Sequence, residues 1–509
     1  MASLEAVIEI GSTGVRLLVA EITEDRKRNI LDRSEIPVSL GRDVFTSGSV
    51  SRDSLLQCIR ILIRYKEQLA GWGITPERAA VIATNAMREA KNRDPVIDRI
   101  HVKTGFRVQV IDGIENNRLT YLAVTECLKG ETAVKQAQDA IILEVGGAST
   151  ELMLIEKGKM AGAHSMRLGT VIVEQQLRSM LGSLDDARRY VEEFIRNTKG
   201  SLNNELDLKK IKQFIAVGPE ARIAAINTGH PVSQFLWEID RENFENFVDE
   251  LQNYTIEECV ARFKIPYNDA QSLHISLLVY NLFLKLTNVK KITVAETSIR
   301  EGLVISHMAT PDTTLQQEFN SQITASARNL LRKYRGDEKH ADYVRRISIK
   351  LFDALKPEIG LPDRARMLLE VSAILHDIGM FIHADNHNQH SNYIINNSEI
   401  FGLDKEDIAI VSQIALYHRG SHTPQDDERF QMLPRDNRMT ILKLTAILRI
   451  ADALDRSHEQ RITEFTIRFD NETMTIRTKG NHNIILEQLA LSQKGDMFES
   501  IFGYKIIIM

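Results

Sequence analysis

Two copies of one local pattern constrain this chain more than any other feature. The first copy runs Glu5-Ala6-Val7-Ile8-Glu9-Ile10, then Gly11-Ser12-Thr13-Gly14, then Val15 to Ile22. The second runs Ile141-Ile142-Leu143-Glu144-Val145, then Gly146-Gly147-Ala148-Ser149, then Thr150-Glu151. In each, a short apolar run reads as a buried strand and breaks at a glycine and hydroxyl turn. Glycine lets backbone amides approach an anion closely, and Ser and Thr hydroxyls add donors for phosphate oxygens. Glu9 and Glu144 each stand two residues before the first glycine of their turn, and Glu151 follows the second turn. Carboxylates at such a turn suit a magnesium ion riding on the phosphates. The repetition predicts two related lobes, each presenting one loop to a shared phosphate cleft.

The rest of the chain is read around these loops. With 509 residues it is too long for one core. Amphipathic helices, such as Ser51 to Leu69, alternate with short apolar strands at Ala79 to Thr84, Phe106 to Ile111, Phe214 to Gly218 and Lys291 to Ala295. That mixture predicts α/β architecture. From about 313 to 460 the periodicity turns almost wholly helical, and from Ile462 onward it reverts to alternating strands. The expected division is therefore 1–125, 126–310, 311–460 and 461–509, the last a small β-rich or α+β piece. A net charge of -5 argues against a DNA-binding protein, which carries a basic excess. Cys58, Cys127 and Cys259 lack the spacing of a disulfide framework or a zinc site. No apolar run approaches a membrane span, and the start lacks a secretory signal, so a cytoplasmic protein is expected.

Four motifs fall in register with a known family: Gly11 to Gly14, Ala83 to Asn92, Glu144 to Glu151, and Arg300-Glu301-Gly302. Their order and spacing resemble the exopolyphosphatase and guanosine pentaphosphate phosphohydrolase (Ppx/GppA) family over nearly the full chain. The resemblance implies two actin-like (ribonuclease H-like) lobes and release of terminal phosphate from inorganic polyphosphate or pppGpp. It implies Mg2+ in the cleft, held by Glu9, Glu144 and Glu151, and a homodimer. Gly11, Ser12, Thr13, Arg88, Gly146, Gly147, Ser149 and Thr150 would bind phosphate. Glu115, Asn116, Glu144 and Glu151 occupy the catalytic positions. The chain departs from the family where a family aspartate is replaced by Glu9 and another by Glu144, and where the family's general-base glutamate becomes Asn116. An amide cannot accept a proton. Lys and Arg side chains lining the cleft are expected to hold the polyanion.

The helical part carries a second constellation. His340, His376-Asp377 and Asp452 resemble the HD metal-dependent phosphohydrolase superfamily, which implies Mn2+ or another divalent metal. Two imidazoles and two carboxylates suit such an ion with positions left for water and phosphate. His383, His387, His390 and His418 lie nearby in sequence and are candidates for a second ion or for phosphate. Three functions remain open at this point: a phosphohydrolase working in the cleft, an HD-type nucleotide phosphohydrolase or phosphodiesterase with the cleft as sensor, and a non-catalytic regulator that binds (p)ppGpp or polyphosphate.

Overall fold

The computed structural model describes residues 3–24, 28–129, 138–180, 184–308, 314–419, 424, 427–470, 472–479 and 484–509. The chain forms two compact units, Met1–Thr313 and Thr314–Met509.

The first unit holds two sheets. Strands β1 (Ser3–Ile10), β2 (Gly14–Ile22), β3 (Arg28–Pro37), β4 (Ala80–Ala83) and β5 (Val108–Val110) lie in the order β3-β2-β1-β4-β5. The first three are antiparallel, and β4 and β5 run parallel to β1. The second sheet contains β6 (Ala140–Val145), β7 (Thr150–Glu156), β8 (Lys159–Met166), β9 (Gln213–Val217), β10 (His230–Pro231), β11 (Leu236–Asp240) and β12 (Lys291–Ala295). Its order is β10-β11-β12-β9-β6-β7-β8. Read from β8, it repeats the first sheet: an antiparallel triplet, then two strands parallel to the triplet's first member, with β11 and β10 added antiparallel. The expected duplication is therefore present in both topology and strand direction.

Burial explains the strand patterns. The last five residues of β1 are buried, as a central strand covered on both faces requires, whereas β3 at the sheet edge alternates half-buried and exposed positions. The helix Ile299–Met308 packs back on the first sheet, with Val304 against Val7 and Leu18, and Ile299 against Ile82 and Leu119. Cys58, Cys127 and Cys259 are free and buried.

The second unit is helical from Thr314–Lys333 to Arg435–Ala453. It ends in the sheet β13 (Phe465–Phe469), β14 (Thr473–Thr478) and β15 (Lys505–Ile508). The expected run of strands after residue 462 is interrupted by two helices, Ile485–Lys494 and Asp496–Phe502. Their buried faces are small, Ala490 and Leu491 on one and Phe498 on the other, so the apolar signal in the sequence is short. The expected turn at Asn471-Glu472 lies partly outside the described residues. No described helix is long and apolar enough to cross a membrane.

Candidate functional site

The two glycine turns close in the same way. The Gly11 amide donates to the Gly14 carbonyl at 2.9 Å, and the Gly146 amide donates to the Ser149 carbonyl at 2.8 Å. Each loop then docks on a helix that follows the third strand of its sheet. The Gly41 amide donates to the Ser12 carbonyl at 2.8 Å, and the Val171 amide donates to the Gly147 carbonyl at 2.8 Å. Gly169 permits the second docking, because a Cβ there would collide with the backbone of Gly147 and Ala148. The turns consume their first glycine amide. The amides of Ser12, Thr13, Gly147 and Ala148 make no backbone hydrogen bond in either turn, and all four residues line one cleft of about 460 Å³. Amides so placed, two from each lobe, suit an anion.

The two hairpins differ in the residue that faces the glutamate. In the first, Glu9 stands across the ladder from Arg16; in the second, Glu144 stands across from Glu151. Glu9 is held between Arg16, 3.1 Å from one oxygen, and Arg300, 3.4 Å from the other. Burial works against the Arg16 charge, but Glu9 and Glu35 more than offset it and keep its pKa raised. Among the described residues, no cation lies within ion-pair distance of Glu144 or Glu151. Glu144 accepts a hydrogen bond from Thr120 Oγ1 at 2.8 Å. Glu151 accepts from Ser149 Oγ at 2.6 Å and Ser165 Oγ at 2.8 Å through one oxygen. Its Oε2 is buried without a partner. Burial pushes the pKa of Glu144 up to about 7, and burial with the Glu144 charge pushes that of Glu151 up to about 7 as well. Two adjacent carboxylates, one with an orphaned buried oxygen, fit a divalent cation or a shared proton.

The cleft is not a basic channel. It is lined by four arginines, no lysine and eight carboxylates. Each arginine is already engaged: Arg16 with Glu9 and Glu35, Arg33 with Glu296 and Glu301, Arg222 with Glu296, and Arg300 with Glu9. This corrects the expectation that Lys and Arg side chains draw in the polyanion. The composition of the stretch carried no such surplus, and only the packing revealed which acids accompany each arginine.

The second unit builds a different centre from helix ends. His340 lies in the first turn of the helix Glu338–Ala354, whose N-cap Asp337 accepts its amide. His376 and His418 are the C-caps of Arg364–Leu375 and Lys405–Tyr417. His387 opens the helix His387–Asn396. Helix ends leave carbonyls unpaired, and the rings use them. His376 Nδ1 donates to Ala373 O at 2.9 Å, His387 Nδ1 to Ala384 O at 2.9 Å, and His418 Nδ1 to Ala415 O at 2.6 Å. His340 Nδ1 donates to Asp455 Oδ2 at 2.8 Å. Carbonyl and carboxylate oxygens only accept, so Nδ1 carries the hydrogen in each ring and Nε2 of the neutral ring is a bare acceptor.

All four Nε2 atoms converge on Asp377. His340 and His376 Nε2 are 3.3 Å apart, and lie 3.9 and 3.6 Å from Asp377 Oδ2. His387 and His418 Nε2 are also 3.3 Å apart, and lie 3.1 and 3.3 Å from Asp377 Oδ1. Asp452 Oδ1 completes the first group, 3.5 Å from His340 Nε2 and 3.8 Å from His376 Nε2. Acceptors gathered this closely need positive charge between them. A proton supplies some of it: against burial, Asp452 and Asp455 push His340 up to about 10, and Asp377 pushes His387 up, while burial holds His418 down. Two divalent ions, one on each side of Asp377, would satisfy every Nε2 at once.

Residues 18–310 match the Ppx/GppA phosphatase family, and residues 324–495 match Ppx/GppA phosphatase, domain III. The chain belongs to the Ppx/GppA phosphatase family. It is 22% identical over 488 residues to a guanosine-5'-triphosphate,3'-diphosphate pyrophosphatase of Aeromonas hydrophila, spanning 93% of this chain and 92% of the relative. A protein of the same name from Aeromonas salmonicida is 23% identical over 487 residues, again spanning 93% and 92%. Among solved structures, the Aquifex aeolicus Ppx/GppA family member superposes with a TM-score of 0.50 at 21% identity, covering 62% of this chain and 100% of that one. An exopolyphosphatase from Cytophaga hutchinsonii gives 0.53 at 20% identity, covering 60% and 98%. These structures share the actin-like Ppx/GppA fold.

Within this family frame, the expected site residues divide. Gly11, Ser12, Thr13, Gly146, Gly147, Ser149, Glu9, Glu144, Glu151 and Asn116 line the cleft. Glu115 does not: both its oxygens are taken by Arg118, at 2.6 and 2.7 Å. One step along a helix turns a side chain by about 100°, which points Asn116 rather than Glu115 into the cleft. Arg88 stands behind the lining, its guanidinium spent on the Ile111 carbonyl at 2.9 Å and on Asn85. It reaches the site through Asn85, which donates to Ser149 Oγ. Thr150 is buried, and its hydroxyl donates to the Leu168 carbonyl. Glu9 has each of its oxygens facing an arginine, Arg16 on one side and Arg300 on the other. These four side chains are positioned away from the roles the resemblance implied, in each case because a nearer partner occupies them. In the second unit His340, His376, Asp377 and Asp452 come together as the spacing implied. Of the further histidines, His387 and His418 join them, whereas His383 is exposed beside Asp385 and His390 stays outside the group. Sequence reading missed Asp455 as the partner of His340; it lies in the turn just past the end of the helix Arg435–Ala453 that carries Asp452.

Proposed function

We propose that this protein is a phosphohydrolase that cleaves phosphoric anhydrides in the cleft of its first unit, with a guanosine polyphosphate or inorganic polyphosphate as substrate. One observation carries the reading: both glycine loops offer free amides to a single cleft, beside a carboxylate pair that no arginine neutralises. The amides of Ser12, Thr13, Gly147 and Ala148 take the terminal phosphate oxygens. Glu144, which uses only one oxygen on Thr120, is the residue that would hold Mg2+, which neutralises phosphate charge when bound, and the free oxygen of Glu151 beside it is left to the water. Such neutralisation is needed here, because the lining carboxylates outnumber the arginines. Asn116 orients the attacking water but cannot take its proton; Glu151, with its raised pKa and free oxygen, accepts it. The bond between the terminal phosphorus and its bridging oxygen breaks, and that oxygen leaves on the shortened substrate. The test is phosphate release from pppGpp and polyphosphate with Mg2+, by the native chain and by Glu151→Ala. Binding without turnover in the native chain would overturn the reading. Asn116→Glu, which restores a carboxylate at that position, is expected to raise kcat about tenfold or more.

The raised pKa values give a pH dependence with a definite sign. A carboxyl raised from 4.5 to about 7 favours the folded state while protonated, and that contribution is lost as pH climbs through about 7. A cation replaces it, because the ionised pair binds the ion that the protonated pair refuses. Mg2+ is therefore expected to raise the melting temperature at pH 8 and hardly at pH 6. An equal shift at both values would count against the Glu144–Glu151 site.

A second reading has its own observation, the convergence of four Nε2 atoms on both oxygens of Asp377. The residues fit a pair of divalent ions: a nitrogen and oxygen donor set, each ring oriented through Nδ1, and Asp377 Oδ1 buried without a hydrogen bond. Such ions, Mn2+ or a related metal, would polarise a phosphoryl oxygen and ease ionisation of a water. On this reading the second unit is an HD-type phosphohydrolase or phosphodiesterase.

A further inference from the structure

We propose that Lys494 is a working member of the four-histidine centre: a charge-balancing cation that withholds one oxygen of Asp452 from the metal and lends its ammonium to the phosphate group the centre takes. The inference rests on the divalent-ion reading of that centre. Lys494 is the last residue of the helix Ile485–Lys494, and its Nζ contacts Asp452 Oδ2. The other oxygen, Oδ1, faces His340 and His376 at 3.5 and 3.8 Å. The two oxygens of Asp452 are thus divided, one toward the imidazoles and one toward the ammonium, which presents Asp452 to an ion through Oδ1 alone.

This is not a surface ion pair. The side chains of Lys494 and Asp452 are 14% and 9% exposed, and the elements that carry them are fastened together. Glu487, fully buried on the same helix as Lys494, accepts the Ser457 amide at 3.2 Å. Arg449, one turn before Asp452, donates to Asp496 at 2.9 Å, just beyond Lys494. A lysine brought this far inside serves charge rather than packing, since an ammonium gains little from burial and must be paired. With every imidazole neutral, as metal ligation requires, Asp377, Asp452 and Asp455 against Lys494 leave two negative charges. Two divalent ions reverse the balance to two positive charges, which suits a phosphate anion. Lys494, a compact ammonium at the edge of the group, is then a point charge for a phosphate oxygen.

A strut and a charge-balancing cation predict opposite results. The experiment titrates the full-length native protein, Lys494→Met, Lys494→Gln and Lys494→Arg with Mn2+, then titrates the Mn2+-loaded forms with inorganic phosphate. Removing the ammonium frees Asp452 Oδ2, so Mn2+ is expected to bind Lys494→Met and Lys494→Gln about tenfold more tightly, the scale on which one ligand charge moves cation affinity. Phosphate is expected to bind those forms about tenfold more weakly, because a charge-assisted hydrogen bond is lost. Lys494→Arg keeps native values for both. Weaker Mn2+ binding in the neutral variants is the strut outcome and overturns the proposal, as does phosphate binding that does not change. A native chain that takes no Mn2+ overturns the divalent-ion reading and this proposal with it; a native chain that takes Mn2+ with neutral variants indistinguishable from it overturns this proposal alone.

Discussion

On the divalent-ion reading of the second unit, Asp377→Ala is expected to remove both ions, whereas His387→Ala removes only one. The asymmetry comes from the division of Asp377 itself. Its Oδ2 faces His340 and His376, its Oδ1 faces His387 and His418, and no other described carboxylate reaches both pairs. Loss of His387 leaves Asp452, Asp377, His340 and His376 around the first position. Loss of Asp377 leaves two imidazoles alone at the second position, and Asp452 with two imidazoles at the first. Even an outer-shell partner is worth about 10–100-fold in metal affinity, so a shared ligand is expected to cost at least about 100-fold at each position. Metal analysis after dialysis into metal-free buffer, with Mn2+ titration, reads the result. Circular dichroism confirms that the helices remain. Asp377→Ala retaining two ions would sink the bridging geometry.

Glu151→Gln is expected to lower phosphate release by about 10²–10⁴-fold, the usual contribution of a positioned proton acceptor. Glutamine keeps the shape, and its carbonyl oxygen can still accept from Ser149 and Ser165, which donate at 2.6 and 2.8 Å to the native carboxylate. The loss should therefore fall on kcat more than on KM, because the cradle amides come from the loop backbone and are untouched. The two variants together assign the chemistry. Activity that falls with Glu151→Gln and survives Asp377→Ala belongs to the cleft. The reverse result places it at the four-histidine centre and leaves the cleft a binding site.

Much of the cleft was legible because its pieces are local. A strand, a four-residue turn and a returning strand are contiguous, so the turn closures at Gly11 and Gly146 follow from short stretches of chain. The pairing of Glu144 with Glu151 follows from the length of the turn and the register of a hairpin. The first members of the four-histidine centre were legible for a similar reason, since His376 and Asp377 are neighbours in the chain. What failed was the expectation of a basic cleft. The arginines that occupy Glu9 come from seven residues away in the ladder and from Arg300 at the far end of the unit. The carboxylates that accompany Arg33 are Glu296 and Glu301.

The sequence by itself determined the repeated hairpins, the family, and which residue types stand at the two centres. Those are properties of short-range pattern: apolar period, glycine turns and the spacing of ligating side chains. Only the tertiary structure decided which side chains are free to act. Glu115 is bound to Arg118 while Asn116 faces the cleft; Glu9 is neutralised while Glu144 and Glu151 are not; His387 and His418 join the centre while His383 does not; and Lys494 arrives from the final helices. The physical reason is that a charge or a ligand atom is available only after every closer partner has been counted, and those partners are set by packing across hundreds of residues, not by neighbours in the chain.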